Sequence, residues 1–279
     1  MKRIVICADD YNLAPGVSKS IRELIARGRL NATSVMTIFP GLAEEAKALV
    51  ETAAPGAIQL GLHLTLSGGF APLAASPLPT ADGMLPSMAV LHSPRSHFRL
   101  DRKNIAAEIE AQLGAFEKAF GRAPDYVDGH HHCQLVPGVQ KVFLETVARR
   151  TPKAWARQCA PARKATLLRA DNKTRFLGLL SLNFIRLAKK AGVPVNPSFS
   201  GAYDYAGGTR FAELFPRFLA ELTDDGVMMC HPGYIDEILR SRDILREPRE
   251  QEHSLLASEQ FLTAMRDAGA SLAGTSRPS

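Results

Sequence analysis

Residues 3–10, RIVICADD, decide how the chain is read. RIVICA (3–8) is an apolar run of strand length, and two adjacent carboxylates, Asp9 and Asp10, close it. Downstream, the same kind of unit returns. Val17 to Arg27 reads as a helix with Pro15 close to its start, followed by a strand at TSVMTIF (33–39). A helix from Leu42 to Thr52 and a strand at IQLGLHLTL (58–66) follow. After a gap, Lys103–Phe120 is helical, with Ile105, Ile109, Leu113 and Phe116 on one face. YVDGHHH (126–132) is a strand running into a loop, and Val139–Arg150 a helix. ARQCA (156–160) is a short strand, Arg175–Ala191 a helix, and VPVNPSF (193–199) a broken strand. Phe211–Leu222 is a helix, GVMMCHP (226–232) a buried strand, and Ser254–Ala268 a final helix.

Strands alternating with helices imply a parallel sheet with helices outside it, as a barrel or an open doubly wound sheet. No G-x-G-x-x-G or Walker loop is present, which counts against nucleotide binding. In either architecture, reactive groups collect at the C-terminal ends of the strands. Residues 67–100 interrupt the alternation with Pro, Gly and Ser and no sustained period. A stretch of that length after a strand carrying a candidate ligand reads as a loop insertion that covers substrate.

A chain of 279 residues with 46% hydrophobic content can bury one large core, and is read as a single domain over 1–279. No apolar run spans a bilayer, and Asp9–Asp10 cut short what would be the core of a signal peptide, so a cytoplasmic location is expected. Cys7, Cys133, Cys159 and Cys230 show no CxxC spacing, so neither disulfides nor a zinc–thiolate site is expected. The net charge of +6 is concentrated from Arg149 to Lys190, with twelve Lys or Arg and one acid, Asp171. No nucleic-acid-binding motif accompanies it, so a solvated face is favoured over a nucleic-acid partner.

Four polar clusters pass the strand-end filter. They are Asp9–Asp10, His63, Asp128 with His130–His131–His132, and His231. Each alone has an ordinary explanation: a helix cap, a hydrogen-bonded core histidine, a solvated loop, a turn residue. Together, one Asp and two His from different strands make a site for one divalent metal ion with open positions. Zinc suits two imidazoles better than magnesium does.

RIVICADDYNLAPGV, GLHLTL, DGHHHCQL and MMCHPGYID resemble, in order and spacing, the motifs of the YdjC-like carbohydrate deacetylases. The resemblance runs from Lys2 to about Leu272. It implies a distorted (βα) TIM-like barrel, one divalent metal (zinc or magnesium), and removal of an N-acetyl group from an amino sugar. Carried onto this sequence, it makes Asp10, His63 and His130 the metal ligands, Asp9 the catalytic carboxylate and His231 the histidine of the HP motif. The chain departs from the family at Tyr11–Asn12, where Phe-Gly is frequent, and at Gln134, where a fourth histidine is frequent.

The mechanism expected is attack by a metal-activated water, with Asp9 as general base and His231 as general acid. Asp128 would orient a ligating imidazole, His132 and Tyr11 would meet the sugar, and His131 would point away. The competing expectations are a metal phosphoesterase, a glycosidase built on Asp9 and Asp128, and a non-enzymatic sugar- or membrane-surface-binding protein. The last draws on FLGLLSLNFIRLAKK (176–190), which reads more simply as a barrel helix. A homodimer is compatible with all of these.

Overall fold

Every strand pairing is parallel. The computed structural model describes residues 1–54, 56–78, 80–163, 172–205 and 210–274. The elements run β1 (Lys2–Tyr11), α1 (Pro15–Ala26), β2 (Ala32–Val35), α2 (Leu42–Thr52), β3 (Gln59–Leu64), α3 (Met88–Leu91), α4 (Pro94–His97) and α5 (Arg102–Phe120). They continue with β4 (Tyr126–Gly129), a 3-10 turn (His130–Leu135), α6 (Pro137–Arg150), β5 (Trp155–Ala156), α7 (Asn172–Ala191) and β6 (Phe199–Ser200). The last are α8 (Phe211–Glu221), β7 (Gly226–Cys230), α9 (Glu237–Arg242), α10 (Glu247–Ala257), α11 (Glu259–Asp267) and β8 (Ala270–Leu272).

The strand order is β5-β4-β3-β2-β1-β7-β6, with β8 beside the first residues of β1. Ile4 to Ala8 of β1 are all buried, as a parallel strand covered on both faces should be. The helices cover the outside; Ile105, Ile109, Leu113 and Phe116 of α5 are fully buried along one stripe. The sheet curls until residues 194–199 touch both of its edges. Val195 bridges Ala156 at the β5 edge, while Phe199 pairs with Val227 of β7. Among the described residues the closing edge carries this bridge and the Phe199 N–H to Ala160 carbonyl bond, so the expected α/β fold is met as a parallel, curled sheet wrapped by helices.

Several element ends differ from the sequence reading. The strand read over 33–39 stops at Val35. The helix read over 254–268 is two helices, because Ser258 is extended (ψ 168°) between α10 and α11. α9 and β8 were not read at all. α9 is capped by Asp236, which accepts from Leu239 N–H. Residues 164–171, the middle of the basic segment, lie outside the described residues. Among the described residues no helix is long and apolar enough to cross a membrane.

Candidate active site

Adjacent residues of a regular strand point to opposite faces, so Asp9 and Asp10 should not meet. Both nevertheless enter the same buried cluster, because the register of β1 with β2 shifts between Ala8 and Tyr11 and Asp10 is left-handed (φ 68°). Short polar side chains tolerate that conformation best. Of the five non-glycine residues with positive φ among the described residues, Asp10, Asn12, His131 and His132 all fall in the candidate motifs.

Register supplies the next contact. His63 and Asp128 are direct partners across β3 and β4, and His63 Nδ1 lies 2.7 Å from Asp128 Oδ1. That partner leaves His63 Nε2 facing Asp10 Oδ1 at 3.2 Å, while His130 Nδ1 reaches the same oxygen at 3.0 Å. Asp10 Oδ2 is held from behind by Arg249 of α10 at 2.6 Å. One atom each from Asp10, His63 and His130 thus converges, all within 4.8 Å of one another and all on buried residues. An imidazole oriented by a carboxylate on its far nitrogen is the usual outer support of a metal ligand. This donor set fits a divalent cation that accepts nitrogen.

A second group, Cys7, Asp9 and Asp128, is also close enough to hold a metal. Here a side chain already supplies the positive charge. The guanidinium of Arg157, fully buried after β5, binds Asp9 through two bonds of 2.6 Å and Asp128 Oδ2 at 2.5 Å. It also donates to Cys7 Sγ at 2.9 Å. Ser34 Oγ donates to Asp128 Oδ2 at 2.5 Å. The three carboxylates therefore face two guanidiniums within one buried cluster.

The electrostatics follow. Burial opposes ionisation of Asp10, but Arg249 and His130 outweigh it and hold its carboxyl well below the usual range. Burial also opposes ionised Asp128, and Arg157 and His63 again prevail. For His63, burial favours the neutral ring, yet Asp128 and Asp9 push it up to about 10. The carboxylates thus stabilise positive charge where His63 and His130 meet Asp10.

β7 adds His231. Ala8 and Cys230 are register partners, so His231 follows on beside Asp9. Its Nδ1 is 2.9 Å from the Tyr205 hydroxyl, and its backbone N–H donates to Glu252 Oε2 at 2.5 Å. Tyr203 donates to the other Glu252 oxygen at 2.8 Å. Burial pushes the Glu252 carboxyl up to about 7 against these donors.

His132 is half-buried, 3.5 Å from Cys159 Sγ through Nδ1 and edge-on to Phe199. Tyr11, expected to meet substrate, is placed elsewhere. It is fully buried, and its hydroxyl donates to Glu45 of α2 and accepts from Arg22 of α1. Gln134 is buried and donates to the Arg157 carbonyl. Arg157, Arg249, Glu252 and Tyr205 were not singled out in the sequence. The one available signal is the pair of adjacent carboxylates, Asp9–Asp10, whose expected roles as base and metal ligand do not point to a buried arginine.

Fold and site together define a parallel α/β protein with a buried carboxylate–imidazole cluster at the C-terminal ends of its strands. The model of the YdjC-like protein family matches residues 3–267, and the chain belongs to that family. It is similar to the chitooligosaccharide deacetylase of Yersinia enterocolitica serotype O:8, at 27% identity over 275 residues and 96% of each chain. It is also 34% identical to a human carbohydrate deacetylase over 149 residues, which is 52% of this chain and 45% of that one. Among solved structures, an Enterococcus faecalis protein named provisionally for cellobiose-phosphate cleavage shares the fold. Its TM-score is 0.77 at 23% identity, covering 98% of this chain and 97% of that one.

Proposed function

We propose that this protein is a carbohydrate N-deacetylase that uses one divalent cation, held by Asp10, His63 and His130, to remove acetyl from an amino sugar. The observation that carries this reading is the convergence of those three side chains beside a second, separately anchored carboxylate, Asp9. Membership of a family whose relatives are named as deacetylases supplies the substrate class.

A bound divalent cation supplies Lewis acidity, making water a better nucleophile and an acyl oxygen a better electron sink. The chain's own residues do the rest. Asp9 accepts the proton of the attacking water; burial raises its carboxyl above the usual range, while the Arg157 guanidinium pulls the other way and fixes its plane. His231 gives a proton to the departing amine nitrogen. Tyr205 at Nδ1 and Glu252 at the backbone N–H set that ring's place. Asp128 orients His63. His132, half-buried beside Phe199, is placed to meet the sugar.

A glycosidase built on Asp9 and Asp128 is disfavoured because both carboxyls are tied to the same guanidinium, and it leaves the converging histidines unused. The test is acetate release from N-acetylated mono- and oligosaccharides by the chelator-stripped protein, before and after zinc or magnesium is restored. Metal-dependent acetate release is expected. Release of phosphate from phosphorylated sugars with no acetate release would assign the site to a phosphoesterase instead.

A further inference from the structure

His131, the middle histidine of the triplet, has no part in the chemistry above. Its backbone is left-handed (φ 54°, ψ 25°), a conformation that a non-glycine residue keeps only when its surroundings enforce it. Two contacts do so. Its ring Nδ1 lies 2.9 Å from Ser67 Oγ, and its carbonyl accepts from His92 Nε2 at 2.9 Å. Both partners belong to the stretch between β3 and α5. That stretch is fastened at another point by Glu108 of α5, which accepts the backbone N–H groups of Leu73, Ala74 and Ala75. On its inner side the His131 ring lies against His130, with centroids 3.8 Å apart. Phe70, from the same stretch, approaches His130 to 6.4 Å between centroids.

We propose that His131 is a positioning residue that couples the seating of residues 67–100 to the orientation of the cation ligand His130. The inference rests on the metal site proposed above. With the loop seated, Ser67 at the ring and His92 at the backbone carbonyl hold His131 against His130, which keeps His130 Nδ1 turned toward Asp10. With the loop displaced, that support is lost and His130 is free to turn. Coupling of this kind is reciprocal: if a seated loop raises cation affinity by some factor, the cation raises the seated fraction by the same factor.

The test uses the full-length chain, stripped of metal and titrated with zinc against a competing chelator. His131→Gly keeps the left-handed backbone available but deletes the ring; Ser67→Ala deletes a single hydroxyl. Each is expected to weaken zinc binding roughly ten-fold, the usual scale for an outer partner of a ligand. The double variant should be no weaker than His131→Gly alone. His92→Leu should also weaken binding, and His92→Gln, which retains an N–H donor, should recover most of it. An independent readout is tryptic cleavage at Arg95 and Arg99, both exposed in the loop. Zinc should slow these cuts several-fold in the parent protein and less in His131→Gly. Unfolding temperatures measured in chelator identify any variant that fails to fold, and Ser67→Ala carries the test in that case. Variant affinities within two-fold of the parent, or cleavage indifferent to zinc, would overturn the coupling. A parent protein that binds no zinc or other divalent cation would overturn the metal site itself, and the coupling with it.

Discussion

Arg157→Met removes the guanidinium at the centre of the cluster and keeps a side chain of similar length. Arg157 is fully buried and neutralises Asp9 and Asp128, which are 2% and 0% exposed. Removing one partner of a buried ion pair costs about 3–5 kcal/mol, because the other charge stays desolvated and unpaired. Here two carboxylates are stranded, so the upper part of that range, ~4–5 kcal/mol, is expected. For a chain of this size the unfolding temperature should fall by ~8–20 °C, at roughly 2–4 °C per kcal/mol. The assay is urea unfolding of the metal-free protein followed by fluorescence and circular dichroism, with Arg157→Met, Asp9→Asn and the double variant as a cycle. Asp9→Asn placed in the Arg157→Met background should recover ~1–3 kcal/mol, since it deletes one stranded charge. A loss below ~1 kcal/mol for Arg157→Met, or strict additivity in the cycle, would refute the view that Arg157 is the counter-ion of the buried carboxylates.

Other outcomes follow from the same contacts. Glu252 is raised from 4.5 to about 7 by burial, so its neutral form is favoured in the folded state. Stability from this group is complete below pH 4.5 and declines as pH rises through about 7. Glu252→Gln should therefore match the parent near pH 5 and be more stable by up to ~3 kcal/mol at pH 8, as read by thermal melts across pH. Gly61→Ala would put a Cβ 2.2 Å from the Tyr126 ring, itself stacked on Trp155, and should cost ~2–3 kcal/mol in urea unfolding. His231→Ala should slow hydrolysis of an N-acetyl amide by ~100-fold or more. It should slow an activated aryl acetate, whose leaving group needs no proton, by less than ~10-fold; equal losses would remove the acid role.

The parallel α/β plan was legible because strands such as IVICA (4–8) and GVMMC (226–230) are apolar runs buried along their length. The proposed ligands were legible because Asp10, His63 and His130 close or follow such strands. What stayed hidden has a common cause: its partners are far apart in sequence. Arg157 meets Asp9 across 148 residues, and Arg249 meets Asp10 across 239. A buried arginine is the same letter as a solvated one, and neither lies on a recognisable period. The placement of Tyr11 has a local cause. Tyr11 was expected at the sugar because it departs from the family motif, but the left-handed turn at Asp10 carries Asp9 and Asp10 into the cluster and leaves Tyr11 against α1 and α2. The final helix was read as continuous because its apolar spacing continues past Ser258, where the backbone is extended.

The account gives two neighbouring aspartates separate jobs, with Asp10 binding the cation and Asp9 taking the proton. The most direct measurement is metal content and acetate release on one preparation of Asp9→Asn, alongside His63→Ala. The account predicts one ion per chain in Asp9→Asn with turnover reduced ~100-fold or more, and little bound metal in His63→Ala. Loss of the ion from Asp9→Asn, its retention in His63→Ala, or near-normal acetate release by Asp9→Asn would contradict it.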